Sequence, residues 1–497
     1  MPKATETQQF VLLPPRGLRV GSGSSSPEAQ AFMRDAEAAR DSGSVAFEGH
    51  EVKMKVVDSI GADGAKLVEL PGPSALAVRS LLPSLRLVPL RWYTPATAPI
   101  MQVENKAARA SAKAPTITLQ VVSKNAGKPV VGAIVVALVD VKNSLGAQGV
   151  TDSKGRVKLA LGASSVKLQG LYVYPEDAHW TLRKRNFTVS SSTKVTLLPL
   201  DLGYTDGLRH FYGNAPLSVG GGVTVGVLDT GIADHPDLVV SGGANTVTGE
   251  DPKDFGDNGV GGHGTHVAGI VAGRGAAPDG VRGVAPGVKL RSYRVFARNS
   301  RSASSFAIAK AIDQAVTDKC DLLNMSLGGG GHDEVLMAAI DDARASGSLC
   351  IIAAGNGGRE PVSFPAVVGS AIAVSAMGRK GTFPTSAAES EDVAAPYGTD
   401  KKNFVAAFSN IGLEIDLTGP GVGIISTVPS GHTEISGTSM ACPAVTGAAA
   451  RVLAPSSLVK KKRNAVRTDG IIKALLATAT PLGFGSNFEG HGLPLPK

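Results

Sequence analysis

Two histidines, His263 and His266, stand three residues apart in the run GGHGTHVAG. On a helix they share a face, so the spacing admits a metal site, a catalytic base with a neighbour, or a pair of core histidines. A zinc hydrolase is disfavoured, because a catalytic zinc takes three protein ligands. No third His or Glu follows at a ligand spacing, and the H-E-x-x-H form is missing. Three more residues capable of chemistry sit in short motifs: Asp229 in VLDTG, Asn356 in AAGN and Ser439 in SGTSMACP. A serine hydroxyl is a poor nucleophile at neutral pH until a base takes its proton. A histidine can be that base, and a carboxylate can hold its tautomer and steady the imidazolium. The tetrahedral intermediate then needs donors aimed at its oxyanion, which an amide side chain and a backbone N–H at a helix start can supply. Singly, each residue is also an ordinary strand end, turn or helix cap.

The surrounding pattern says how such residues are held. VTVGVLD (223–229) reads as a buried strand, and a helical run begins near Thr265. VKLRSYRV, DLLNMSL, SLCIIAA and SAIAVSA read as further strands. Between them lie helical runs, one with Phe306, Ile308, Ile312 and Val316 near one face, the other DEVLMAAIDDARAS. Strands apolar throughout and alternating with helices predict an α/β domain with a doubly wound, mostly parallel sheet. Sites in such sheets lie at the carboxyl ends of the strands. Asp229 and Asn356 fall there, with His263 and Ser439 at helix starts.

Across residues 205–490 the chain resembles the subtilisin-like serine proteases: VLDTG, HGTHVAG, NMSLGG, AAGN and GTSMA occur in that family's order. The resemblance implies a catalytic domain over 200–497 and an endopeptidase that acts on polypeptides through an acyl-enzyme. It implies Ser439 as nucleophile, His263 as general base and then acid, and Asp229 as the carboxylate that orients His263. Asn356 would donate to the oxyanion beside the N–H of Ser439. Ser326, Leu327 and Gly328 resemble the family's substrate-pairing edge, with Gly355 and Ser363 near the side-chain pocket. His266 is then a structural helix residue. A peptide ligase or cyclase would use the same triad, and a catalytically silent binding scaffold is disfavoured by four filled positions.

Two features depart from the family. GTSMA continues as CPAV instead of Ser-Pro-His-Val; Cys442 is read as a small buried residue. The chemistry needs no cofactor, but many relatives bind structural calcium. Asp237 in DHPDL matches a ligand position, and Asp254, Asp257 and Asn258 offer further oxygens. The loop GRGAAPDGV lacks the asparagine-rich ligand set, so no metal ligands are assigned.

Residues 1–93 read as strand, helix, two strands, helix, strand, with Ser26 and Pro27 opening the first helix. This α+β unit resembles the family's propeptide, which implies a precursor, or zymogen, that processes itself and an N-terminal domain acting as intramolecular inhibitor and chaperone. Residues 94–115, rich in Ala, Pro and Lys, read as a linker holding the cut. Residues 116–199 carry five short β-rich runs and predict a small antiparallel β-sandwich. Residues 378–403 show no period and read as an inserted surface loop.

Composition narrows the remaining classes. The chain has 497 residues, 43% hydrophobic and 19% charged, enough for several cores. Its net charge of +8 forms no basic stripe with interleaved aromatics, so nucleic acid is not an expected partner. Neither a secretory signal nor an apolar run of transmembrane length is read, so no membrane partner is expected. Three cysteines give no disulfide framework. Together these favour a cytoplasmic location, with export by another route as the alternative.

Overall fold

The computed structural model describes residues 7–20, 27–40, 42–47, 50–106, 115–125 and 127–496; Ser26 and residues 107–114 of the expected linker lie outside them. The first elements are β1 (Thr7–Leu13), α1 (Pro27–Ala38), β2 (Ser44–Phe47), β3 (His50–Lys53), β4 (Lys55–Ser59), β5 (Lys66–Pro71), α2 (Gly72–Leu81) and β6 (Arg86–Pro89). Strands β4, β5, β1 and β6 form one antiparallel sheet in that order. Strand β1 is apolar on both faces because both are covered. Phe10 and Leu12 join Phe32, Met33 and Val78 in one core. Val11 and Leu13 face the other way and pack with Phe306, Ile312 and Leu336 of the C-terminal region. Ion pairs Arg19–Asp313 (2.8 Å) and Asp58–Lys310 (2.7 Å) cross the same contact.

The chain then leaves the sheet as β7 (Trp92–Pro95), whose partners lie more than two hundred residues away. The expected linker boundary at 94 is therefore corrected: Thr94 and Pro95 are strand. Beyond it come β8 (Asn105–Lys106), β9 (Ile117–Ser123), β10 (Ile134–Asp140), β11 (Leu145–Val150), β12 (Arg156–Leu159), β13 (Ser165–Tyr174), β14 (Leu182–Ser190) and β15 (Lys194–Leu197). Two sheets, β14-β13-β10-β11-β8 and β12-β9-β15, close over Leu119, Val121, Val135, Leu171 and Val173. The sandwich is not wholly antiparallel, since β15 pairs with β9 and β8 with β11 in parallel. Strand β14 escaped the sequence reading because its polar run LRKRNFTVS buries only its ends.

The remaining elements are α3 (Gly207–Tyr212), β16 (Thr224–Asp229), β17 (Val240–Asn245), α4 (His263–Ala272), β18 (Lys289–Arg294), β19 (Ala303–Ser304), α5 (Ser305–Thr317), β20 (Leu322–Met325), β21 (Leu327–Gly328), α6 (Glu334–Ala345), β22 (Leu349–Ala353) and β23 (Ile372–Arg379). They continue through β24 (Val393–Tyr397), β25 (Asn403–Ala406), β26 (Leu417–Pro420), β27 (Ile424–Val428), β28 (Gly431–Ile435), α7 (Thr438–Leu453) and α8 (Ala465–Leu476). The large sheet runs β17-β18-β16-β20-β22-β23-β25-β24, with β26 also on β23. Its pairs are parallel up to β23 and β26, and antiparallel at β25 and β24. Buried strands such as LCIIA carry apolar side chains on both faces because helices cover both. Residues 378–403 are no free loop: they build β24 and dock on the sandwich through Arg183 N to Ser386 O (2.7 Å) and Arg183–Glu391 (3.0 Å). Among the described residues no helix is long and apolar enough to cross a membrane.

Candidate active site

Asp229 ends β16 at the carboxyl edge of the sheet and is fully buried. Its Oδ1 accepts from Thr230 N–H and from His263 Nδ1, each at 2.7 Å. That bond puts the imidazole proton on Nδ1 and leaves a lone pair on Nε2, which has no protein partner. His263 opens α4, and Thr230 Oγ1 accepts from Gly264 N–H (2.9 Å), tying the helix start to the strand end. Gly262 precedes it at φ +61°, where a Cβ would also stand 2.2 Å from Pro429. His266, one turn on, is fully buried and donates from Nε2 to Thr433 O (3.2 Å). Burial pushes its pKa down to about 3, so it stays neutral.

Ser439 is the second residue of α7. Pro443, four residues on, has no N–H to give the Ser439 carbonyl. That carbonyl takes the Ser326 hydroxyl instead (2.8 Å), which locks the helix start to the segment between β20 and β21. The Ser439 hydroxyl donates to Ser326 O (2.9 Å). Asn356 follows β22, and its Oδ1 accepts from Thr438 N–H (2.9 Å). Its Nδ2 is buried without a partner. Cys442 points into the interior, in contact with Asn324 Oδ1 and Ile351 O, and burial pushes its thiol up to about 12.

A stretch of the chain itself fills the cleft. β7 lies antiparallel between β19 and β21, with Thr94 opposite Gly328 and Pro95 opposite Leu327. Ala96 N–H donates to Ser326 O (3.1 Å), and Ala98 N–H to Ser436 O (2.9 Å). The Ala96 carbonyl accepts from Ser439 N–H at 3.0 Å. Gly437 permits this approach, because a Cβ there would lie 2.7 Å from that oxygen. The Ala96–Thr97 bond thus lies next to Ser439, beside a 290 Å³ cavity lined by His263, Thr230, Val260 and Ile435. Along this stretch Tyr93 and Ala96 are buried, Pro95 is half-buried, and Trp92, Thr94 and Thr97 are exposed. Gly355 and Ser363 stand behind β21, where a Cβ on Gly328 would be 3.0 Å and one on Gly355 2.4 Å from Ser363 Oγ.

On the far side of the bond, Thr97 to Met101 border a 330 Å³ cavity shared by Tyr172 and Tyr174 of the sandwich with Glu389 and Glu434. These two carboxyls are hydrogen-bonded to each other and buried. Thr181 donates to both, its hydroxyl to Glu389 Oε2 (2.6 Å) and its N–H to Glu434 Oε1 (3.2 Å), and burial together with Glu389 drives the pKa of Glu434 well up.

The oxygens read from the sequence as calcium ligands do not converge on a calcium site. Asp237 Oδ2 accepts from His432 Nε2 and from Val281 N–H, both at 2.8 Å, so two donors face it. The neighbouring His235 uses both ring nitrogens, one on Asp237 N–H and one on Gly431 O. Asp254 pairs with Arg298 (2.6 Å) and Arg294 (3.3 Å), Asp257 accepts from Gly259 N–H, and Asn258 Oδ1 accepts from Val260 N–H. Calcium needs six or more oxygens turned inward together.

Sequence reasoning named Asp229, His263, Asn356, Ser439 and the 326–328 edge, and the structure brings them to one cleft. It missed the occupant, residues 92–98, and the socket around Tyr93. The one local signal was Pro95, which holds the stretch extended just before a small Ala96.

Comparison with known proteins gives the family of this region. The profile of the subtilase family matches residues 220–492. Subtilisin BL of Lederbergia lenta is 38% identical over 275 residues, covering 55% of this chain and 89% of its own length. Subtilisin DY of Bacillus licheniformis is 39% identical over 282 residues, with the same two shares, 55% and 89%. Alkaline elastase YaB of Bacillus sp. (strain YaB) is 39% identical over 275 residues, 55% of this chain and 63% of its own.

Proposed function

Because the chain belongs to the subtilase family and is a serine-type endopeptidase, we propose that Asp229, His263 and Ser439 are its catalytic triad and that it cuts itself between Ala96 and Thr97. The observation that carries this reading is the Ala96 carbonyl held on the Ser439 N–H at 3.0 Å, at the end of a strand paired with Leu327 and Gly328.

The steps follow from the geometry. Ser439 Oγ turns from Ser326 O to the free lone pair on His263 Nε2, which takes its proton. Oγ attacks the Ala96 carbonyl carbon, and the carbonyl electron pair moves onto oxygen. Ser439 N–H and the unpartnered Nδ2 of Asn356 hold that oxyanion. His263 returns the proton to the Thr97 nitrogen as the C–N bond breaks. Water then hydrolyses the acyl-enzyme by the same route. Asp229 keeps the Nδ1 proton in place and steadies the imidazolium. Chemistry of this kind needs no cofactor. Ser326, Leu327 and Gly328 hold substrate backbone as an added strand, and Gly355 and Ser363 shape the wall behind it. In this reading residues up to Ala96 are an intramolecular inhibitor, and the sandwich stays on the mature enzyme.

A fluorophosphonate probe tests the nucleophile. The self-processed chain should carry the adduct on Ser439 by peptide mapping and lose casein hydrolysis with it. An adduct elsewhere with the same loss would refute Ser439.

A further inference from the structure

Tyr93 is the fourth residue before the Ala96–Thr97 bond, and its side chain is fully buried in the cleft. Its ring packs in one cluster with residues such as Met325, Leu327 and Val335, and its edge lies 3.9 Å from where a Cβ on Gly330 would stand. Its hydroxyl donates to Asp333 Oδ2 at 2.9 Å. Asp333 is itself fully buried and caps α6, its Oδ1 accepting from Val335 N–H at 2.9 Å. One oxygen is thus engaged by the helix and the other is turned to the socket. No ion pair of Asp333 occurs among the described residues.

We propose that Asp333 makes the cleft select polypeptides carrying a tyrosine four residues before the cut bond, by accepting a hydrogen bond from the phenolic hydroxyl. This deepens the preceding reading and rests on residues 92–98 lying as a substrate lies. Of residues 92–97 only Tyr93 and Ala96 are buried against the cleft, so these are the positions this cleft can read. A phenylalanine fills the same space but leaves a buried carboxylate oxygen without a donor. Sites built to bond a substrate hydroxyl discriminate strongly against the analogue that lacks it. An exposed Asp at this position would read nothing, because water would replace the hydroxyl; burial is what gives Asp333 its selectivity.

The test uses the full chain after it has processed itself, with three blocked peptides. One is Trp-Tyr-Thr-Pro-Ala-Thr-Ala-Pro, the sequence of residues 92–99; the others carry phenylalanine or O-methyltyrosine in place of tyrosine. We expect cleavage at Ala-Thr with kcat/KM about 10- to 100-fold higher for tyrosine than for either analogue. Asp333→Ser keeps a capping hydroxyl on α6 and should bring the ratio near one by slowing the tyrosine peptide. Equal cleavage of tyrosine and phenylalanine peptides at Ala-Thr by the wild type overturns the selection and leaves the seating of the segment intact. An unchanged ratio in a folded Asp333→Ser also overturns it. If casein is degraded but no peptide is cut at Ala-Thr, the seating of residues 92–98 is what fails, and the selection with it. The O-methyl peptide makes the point without a variant, since it keeps the ring and removes only the donor.

Discussion

At the scale of single residues, the centre is a set of donors and acceptors each held by one other bond. Asp229 fixes the His263 tautomer at 2.7 Å, and Thr438 N–H holds the Asn356 amide by Oδ1, leaving Nδ2 buried without a partner. Asn356→Ala should therefore lower kcat by about 10²- to 10³-fold with KM little changed, because the lost bond forms chiefly in the transition state. Steady-state kinetics on a peptide substrate would check this; a rise in KM with kcat intact would assign Asn356 to ground-state binding. These residues were legible because their chemistry is tied to types the sequence prints: a carboxylate, an imidazole, an amide and a hydroxyl in short glycine-flanked motifs. Asp333 was not, since an Asp before a helix is an ordinary cap and its second oxygen acquires meaning only from Tyr93, 240 positions away.

At the scale of elements, β7 is the instructive case. The sequence reading ended the N-terminal unit at Tyr93 and began a linker at Thr94. Local pattern ended there because β7 pairs with nothing nearby in sequence; its ladders run to β19 and β21. Strand β14 and the antiparallel edge strand β24 were hidden for a related reason: both are polar or half-buried, and their partners give them order. The large sheet was legible throughout, since strands apolar on both faces have few other fates. The hold of the N-terminal sheet on α5 is open to test through Lys310, whose ammonium meets both oxygens of Asp58 at 2.7 and 2.9 Å. Lys310→Ala leaves that mostly buried carboxylate with only the more distant Arg40, at 3.8 Å, as a cation and should weaken the contact by about 1–3 kcal/mol. The lag between self-cleavage on a gel and the onset of peptidase activity should shorten accordingly; an unchanged lag would mean that the pair adds nothing to the hold.

At the scale of the whole molecule, the sandwich is joined to the catalytic region through Trp180, which enters the main core, and through Thr181, which bonds both members of the Glu389–Glu434 pair. Burial raises Glu434 above the value near 4.3 that a glutamate has in the unfolded chain. The folded state therefore binds this proton more tightly than the unfolded state, and stability falls as pH climbs from the unfolded value through the raised one. Glu434→Gln keeps a donor for Glu389 and removes that loss, so its Tm should decline less than wild type between about pH 5 and about pH 8. Parallel Tm curves would show that Glu434 does not titrate in this range.

The central claim is that Ser439 cuts the chain that lies across it, at Ala96–Thr97. Intact mass of the full-length chain and of Ser439→Ala, purified under the same conditions, tests it most directly. The account predicts that wild type resolves into two pieces whose masses place the break after Ala96, while Ser439→Ala keeps one mass over all 497 residues. A wild-type break at another bond, or the same break in Ser439→Ala, would contradict it.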